Sequence, residues 1–345
     1  MSAQDQPPAD TTVIVLAYGD EPYLAAVVDA VLASTDVRLD LVVVDNGCTS
    51  DAVRELPDLP QITVLRPDRN LGFTGGVNLA AAHARTPTIT LLNSDAVVRP
   101  DTVALLLAAL RDDPGIGVAG SLIVLADDPD VVNSAGNPLH VLGLSWAGSM
   151  GERADSFVGT REVTSASGAC LAVRLDWWRE LGGFPDEYFA YLEDLELSWR
   201  TWQRGSRVVV VSEAVTAHHY EFGRSPLKMY LLERNRLILL LTTFEARTLL
   251  LISPALLAFE VAIAAVAVLQ GWGGAKARGW RWLVTHRRWV RRRRAEVQAS
   301  RTVPDRDLAR LITDRFEPAQ TPLPRAAAPL EWVLRGYWQL VRRSI

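Results

Sequence analysis

Several polar clusters in this chain hold residue types that could do chemistry. Glu193 and Asp194 open a segment with helical spacing of apolar residues. A helix dipole there favours an anion, and an ionised carboxylate could serve as a general base. The ordinary alternative is the acidic enrichment that many helix starts show. Asp95 closes Asn93-Ser94-Asp95 behind an apolar run. A carboxylate so placed suits Mg2+ or Mn2+, which take their other ligands from phosphate and water; an Asx turn is the alternative. Asp45 heads Asp45-Asn46-Gly47 behind another apolar run and reads as a nucleotide contact or as turn chemistry. Residues 70–78, NLGFTGGVN, lead into a helical pattern. They suit close approach of an anionic ligand, or a plain strand-to-helix connection. His218 and His219 are adjacent, so at most one is expected to be a ligand. Tyr188, Phe189 and Tyr191 could line a sugar pocket or belong to the core.

The elements that must hold these groups are legible as alternating strands and helices. Strands are expected at 13–18, 39–44, 62–65 and 88–92, and again at 208–211. Helices are expected at 21–34, 75–84, 100–110, 175–181 and 192–204, with Asp45-Asn46-Gly47 a turn after the second strand. Continuous apolar strands between helices predict an α/β fold around a mostly parallel sheet. Ligands in such sheets bind beyond the carboxyl ends of the strands, where Asp45 and residues 93–95 fall. The turn after Tyr18 is Gly-Asp-Glu-Pro, which lacks GxGxxG and puts acid where a pyrophosphate would sit. Dinucleotide binding is therefore not expected, and there is no GxxxxGK[ST] loop for a P-loop NTPase.

The chain has 345 residues and a net charge of −4, which hides a split. Residues 1–270 carry −15 and residues 271–345 carry +11. A basic end on an acidic body suggests a polyanion partner, either nucleic acid or an anionic membrane. Two cysteines without CxxC spacing support neither a disulfide framework nor a zinc site. The polar, acidic start is unlike a signal peptide, so a cytoplasmic position is expected.

The segments VIVLAYG, LVVVDNGCTSD, NLGFTGGVN, LLNSDA, SASGACLAVR, GGFPDEYFAYLEDLELSWR and HHYEFGR…KMYLLERNR occur in this order. Together they resemble the family 2 glycosyltransferases, and within them a rhamnosyltransferase-like, actinobacterial branch. The resemblance covers about residues 12–236 and implies a GT-A fold, a Rossmann-like sheet flanked by helices. It implies transfer of a sugar from a nucleotide-diphosphate donor, with inversion, to a lipid-linked or cell-wall glycan; rhamnose from a dTDP donor is the first expectation, UDP-sugars the next. Asp194 would be the catalytic base, with Glu193 beside it. Ala17, Asp45, Asn70, Gly72, Gly75, Asn78, Asn93, Ser94 and Arg224 would contact the nucleotide-sugar. Asp95 would be the metal carboxylate of the family's DxD motif, whose first Asp is here Asn93, and His218 a metal or diphosphate contact in preference to His219. Lys228 and Arg234 could also help neutralise diphosphate.

The resemblance leaves the C-terminal third to be read from its residues. Residues 237–270 are apolar, yet Glu245, Arg247 and Glu260 interrupt them. The uncharged stretches, 248–259 and 261–275, fall short of the roughly 20 residues a spanning helix wants. Beyond them Trp272, Trp280, Trp282 and Trp289 interleave with lysine and arginine, as at a cytoplasmic membrane surface. The expected organisation is a disordered 1–11, a GT-A domain at 12–236 and a membrane-associating helical region at 237–300. A Pro-containing tail at 301–345 follows, with a linker at 317–329 and a terminal amphipathic helix. A peripheral, monotopic or re-entrant enzyme of glycan assembly at the cytoplasmic face fits this, with no nucleic-acid partner. The alternatives are a processive polysaccharide synthase, whose QxxRW motif is missing, a buried helical hairpin in place of the membrane region, and a catalytically weak scaffold for glycan assembly.

Overall fold

The computed structural model describes residues 9–219, 223, 225–318 and 328–345. The first part alternates β1 (Thr11–Gly19), α1 (Leu24–Leu32), β2 (Leu39–Cys48), β3 (Ile62–Leu65), α2 (Gly72–His83), β4 (Thr88–Asn93), β5 (Ala96–Val98), α3 (Thr102–Asp112) and β6 (Ile116–Leu125). Then come β7 (Val132–Ser134), β8 (Leu139–His140), β9 (Thr160–Glu162), β10 (Cys170–Arg174), α4 (Leu175–Leu181), α5 (Glu193–Gln203) and β11 (Arg207–His218). The chain ends in α6 (Pro226–Thr243), α7 (Ala246–Leu269), α8 (Gly273–Thr285), α9 (Arg287–Ser300), α10 (Asp305–Leu308), β12 (Ile312–Thr313) and α11 (Ala328–Arg342).

The main sheet runs β3-β2-β1-β4-β10-β6-β11-β5. β3, β2, β1 and β4 are parallel, as are β6 and β11; β10 and β5 run antiparallel to their neighbours. Both faces are covered, which explains the unbroken apolar strands. Val13, Val15 and Val43 pack on one side with Leu24 and Leu106, while Ile14, Val42 and Val44 pack on the other with Val77 and Trp178.

Several local expectations are corrected. Asp45, Asn46 and Gly47 form no turn: β2 continues through them to Cys48, and a bulge between Ala17 and Gly19 lets β1 follow. β11 runs well beyond 208–211, to His218, because both flanking strands, β6 and β5, pair with its far half. α3 starts at Thr102, not Pro100; the Thr102 hydroxyl donates to the Val215 carbonyl at 2.6 Å instead of capping its own helix.

The C-terminal region is more embedded than its composition suggested. Leu237, Ile238, Leu239, Leu240 and Phe244 are buried, so α6 belongs to the core and not to a membrane region beginning at 237. Arg293 of α9 pairs with buried Glu196 of α5 at 2.8 Å, and Arg294 donates to the carbonyls of Leu241 and Phe244. Residues 301–313 also fold back: Glu245 and Asp305 exchange backbone-to-carboxylate bonds, and β12 pairs in parallel with β8. Residues 319–327 of the expected linker lie outside the described residues.

α7 corrects the expectation that this stretch is too short to span. It is continuous for 24 residues and, by length and composition, apolar enough to cross a membrane. Pro254 inside it leaves the Leu250 carbonyl without its helical donor, and the Ser253 hydroxyl supplies one at 2.8 Å. Glu260, the charge that interrupts the apolar run, turns toward α6 and α8, where it pairs with Arg236 and with Lys276.

Candidate active site

The site forms where β1, β2 and β4 end and where β11 arrives beside β5. Asp95 lies between β4 and β5, and the register of β11 on β5 sets His218 opposite Ala96. His218 Nε2 comes 3.1 Å from Asp95 Oδ1, and its Nδ1 lies 3.1 Å from Asn133 Oδ1. With that amide assignment Nδ1 is the donor, so the Nε2 lone pair and the Asp95 carboxylate face each other and call for a cation or proton between them. An imidazole nitrogen and a carboxylate oxygen so aimed fit a divalent ion. No cluster of three potential protein ligands occurs among the described residues, so other positions around an ion are left to phosphate oxygens and water. His219 is turned away: its ring stacks on Tyr23 with centroids 3.7 Å apart.

Glu21 also belongs to this corner, although its Gly-Asp-Glu-Pro turn gave only a negative signal. It is buried, accepts from the Tyr18 amide at 2.6 Å and hydrogen-bonds Ser94. Burial raises its pKa, and the nearby Asp95 and Asp20 charges add to that. Asn93 is tied by its backbone to the Ala169 carbonyl at 3.0 Å.

Asp45 accepts from the Cys48 amide at 3.1 Å, while its second oxygen lies 3.7 Å from Arg66 Nε. Ala17 pairs with Asp45 across the strands and is fully buried, backbone included, so it does not line the ligand surface as expected. The neighbour of Asp45 organises the glycine-rich segment: buried Asn46 donates to Asn70 Oδ1 and the Gly72 carbonyl and accepts from the Leu71 amide at 2.8 Å. Asn70 in turn accepts from the Gly72 amide at 2.7 Å.

The glycines here answer to packing. Gly72 has φ +72°, and a Cβ there would stand 2.4 Å from the Phe189 carbonyl oxygen; one at Gly76 would stand 2.1 Å from Leu16 Cδ1. A Cβ on Gly75 would meet Leu71 at 2.9 Å. Asn78 likewise turns inward, donating to the Phe184 carbonyl and to Asp186 and accepting from the Phe184 amide. The segment thus grips the 184–189 loop.

That loop delivers the carboxylate pair. Phe189, Tyr191 and Leu192 all have positive φ, a strained run for non-glycine residues just before α5. It persists because α6 holds its carbonyls. Arg234 donates to Glu187 and Tyr188 at 2.6 and 2.8 Å, and the Asn235 amide reaches Tyr188, Ala190 and Tyr191 within 3.0 Å. Arg234 is therefore a brace for this loop, not the diphosphate contact its charge suggested. Tyr188 is fully buried, whereas Tyr191 is exposed beneath Lys228 Nζ at 5.5 Å. Arg224 lies outside the described residues.

Asp194 is held from both sides, by the Gly168 amide on Oδ2 at 2.9 Å and the Leu195 amide on Oδ1 at 2.7 Å. Helix placement alone suggested an easily ionised group; burial instead raises its pKa, against the pull of these donors. Glu193 is pushed to about 8, by burial first and then by the Asp194 charge, and its buried Oε2 has no hydrogen-bond partner among the described residues. Burial pushes both carboxyls toward the protonated form, while the two amide donors favour the charge on Asp194 and mark it as the better proton acceptor of the pair.

Residues 12–182 match the family model for Glycosyl transferase family 2. The N-acetylglucosaminyl-diphospho-decaprenol L-rhamnosyltransferase of Mycobacterium tuberculosis is 29% identical over 244 residues, covering 62% of this chain and 78% of that protein. The succinoglycan biosynthesis protein ExoO of Rhizobium meliloti is 34% identical over 136 residues, 38% of this chain and 36% of that one. Among solved structures, GalNAc-T7 with UDP, GalNAc and Mn2+ superposes with a TM-score of 0.58 at 17% identity, over 70% of this chain and 49% of that chain. The Pyrobaculum calidifontis mannosyltransferase PcManGT, in complex with GDP-Man and Mn2+, does so with a TM-score of 0.52 at 18% identity, over 85% and 86%. This chain therefore spans about half the length of GalNAc-T7 and most of PcManGT, and both likenesses are likenesses of fold.

Proposed function

We propose that this chain, a glycosyltransferase of GT-A-like fold whose residues 12–182 match family 2, transfers a sugar, with inversion, from a nucleotide-diphosphate donor to a lipid-linked or cell-wall glycan at the cytoplasmic face of a membrane. The observation that carries this reading is the carboxylate pair at the head of α5, Glu193 buried and Asp194 half-buried. Asp194, the member held by two amide donors, would accept the proton of an acceptor hydroxyl while that oxygen attacks the anomeric carbon from the face opposite the diphosphate. Glu193, held neutral, would keep a second negative charge away from the incoming nucleophile. Asp45 would border the nucleotide. Asp95 and His218 would hold Mg2+ or Mn2+, and such an ion, when bound, supplies positive charge against the departing diphosphate. The strained loop fixed by Arg234 and Asn235 positions the base, and positioning is a large part of the barrier lowering.

Rhamnose and a polyprenyl-diphosphate acceptor are the first choices, supported by the name of the mycobacterial relative, an N-acetylglucosaminyl-diphospho-decaprenol L-rhamnosyltransferase. Membrane contact is supported by α7, whose Leu257 and Val261 are 66% and 72% exposed, and by exposed Trp332 on α11, which packs on α7 through Tyr337 and the Leu251 carbonyl. Arg287 and Arg288 would add attraction to anionic lipid. We read α7 as lying in the interface, since Glu260 binds it to the body.

The test is a transfer assay with dTDP-rhamnose, UDP- and GDP-sugars against a polyprenyl-diphosphate-linked acceptor, with Mn2+. Turnover with one donor and an inverted anomeric product is expected. No turnover across the panel, or a retained configuration, would reject the proposal.

A further inference from the structure

Between α6 and the α8–α9 junction lies an open groove of about 550 Å³ that no step above uses. Its floor is aromatic and apolar, with Tyr230, Trp282 and exposed Leu227. Its rim carries the cations Arg278 and Arg281, one helical turn apart on α8, and the His286 ring lies at the helix end. His286 is stacked on Trp282 with centroids 4.3 Å apart, and the Arg278 guanidinium lies 5.7 Å over Tyr230. Lys276 on the same helix is neutralised by Glu233 and Glu260, whereas neither Arg278 nor Arg281 has a carboxylate partner among the described residues.

Two observations orient the groove. Its far wall meets the catalytic loop, because Arg234 lies 4.9 Å from both the Tyr230 and Trp282 rings while it holds the Glu187 and Tyr188 carbonyls. Its near end meets apolar surface, because α8 follows the exposed α7 and itself exposes Trp280 and Val284. Paired guanidiniums match the several oxygens of a diphosphate, and an aromatic floor matches the first units of an apolar chain. We propose that this groove binds the diphosphate and adjoining isoprenoid of a polyprenyl-diphosphate acceptor, leaving its sugar directed toward Asp194. This rests on the lipid-linked acceptor proposed above.

The probe is farnesyl diphosphate, titrated into the full chain in neutral detergent without donor or metal, and read by tryptophan fluorescence. Wild type should bind it. Arg278→Gln/Arg281→Gln should bind at least tenfold more weakly with an unchanged melting midpoint, while Arg291→Gln/Arg292→Gln, with the same charge loss elsewhere, should keep wild-type affinity. Farnesol should not compete, and inorganic diphosphate should compete only at higher concentration. Equal affinity for inorganic diphosphate would make this a free-anion site and overturn the proposal, as would wild-type affinity in the Arg278/Arg281 variant. Transfer retained alongside such unaltered binding would reject the groove alone. Arginine-dependent binding in a chain that transfers no sugar would uphold the groove and reject the activity.

Discussion

The Gly168 amide donates to Asp194 Oδ2 at 2.9 Å, joining two segments 26 residues apart in sequence. The loop before β10 is tied through Ala169 to Asn93 at the end of β4, so this bond references the carboxylate to the sheet. If Asp194 is the base, Asp194→Asn keeps the shape and loses the proton acceptor. Transfer should fall about 10³-fold, while donor-induced thermal stabilisation stays. Activity within threefold of wild type would remove Asp194 from the role.

Glu193 predicts a pH effect on stability whose sign follows from its surroundings. Its pKa is raised from 4.5 to about 8, by burial and then by Asp194. The folded state therefore holds the proton more tightly than the unfolded chain does. That stabilisation is full below the unfolded value and is lost as pH rises through the folded one. Glu193→Gln has no such proton to lose. In urea melts, wild type should lose on the order of 3 kcal/mol more than the variant between about pH 5 and pH 9. Parallel pH profiles would show that Glu193 titrates normally.

The Asp95–His218 pair predicts a metal requirement. Chelation should stop transfer and Mn2+ should restore it. His218→Ala should raise the Mn2+ concentration for half-maximal activity, and Asn133→Ala, acting through His218 Nδ1, should raise it by about tenfold. Full activity after exhaustive chelation would count against the assignment.

Much of this site was readable before the structure, and the limits have physical causes. Asp95, His218 and Asp194 stood out because a strand or helix end places them, and local pattern reveals such ends. Asn46, Asn133, Gly168 and Asn235 did not, because their partners are 24 to 85 residues away and chain periodicity carries no record of such pairings. Asn46 and Gly168 did stand within DNG and SASGAC, which could have flagged them. The C-terminal third misled for a related reason. Charge composition cannot tell an exposed arginine from Arg293, whose partner Glu196 lies 97 residues earlier.

Gly72 tests whether the glycine-rich segment serves packing. Gly72→Ala adds a methyl 2.4 Å from the Phe189 carbonyl oxygen at φ +72°. Overpacking of this kind costs roughly 1–3 kcal/mol, to be read as a lowered melting midpoint. The strained loop before Asp194 should shift with it, lowering kcat more than it raises the donor KM. A variant as stable and active as wild type would reject the packing account.

The arginines of α9 should divide by burial. Glu196 is fully buried between Arg200 at 2.6 Å and Arg293 at 2.8 Å. Arg293→Ala leaves that carboxylate with one partner and should cost roughly 3 kcal/mol. Exposed Arg292 pairs with Glu296 at 3.8 Å, with both side chains open to solvent. Its replacement should change stability by less than about 0.5 kcal/mol. Equal, small losses at both positions would return α9 to the role of a solvated tail.

Leu257 and Val261 decide how the chain meets lipid. They lie one turn apart on α7, both largely exposed, so Leu257→Glu/Val261→Glu should leave the melting midpoint nearly unchanged. Burying each apolar side chain in a bilayer is worth roughly 1.5–3 kcal/mol. Losing both should therefore lower partitioning onto phosphatidylglycerol vesicles by at least about a hundredfold in a flotation assay. The attraction of Arg287 and Arg288 is screened by salt, so an interface-bound wild type should also be partly released as ionic strength rises. Retention through a high-salt and alkaline wash would instead put α7 across the bilayer. In that case the Glu260 pairing with Arg236 and Lys276 must break or enter the membrane with it, and Glu260→Gln should then strengthen insertion rather than loosen the fold.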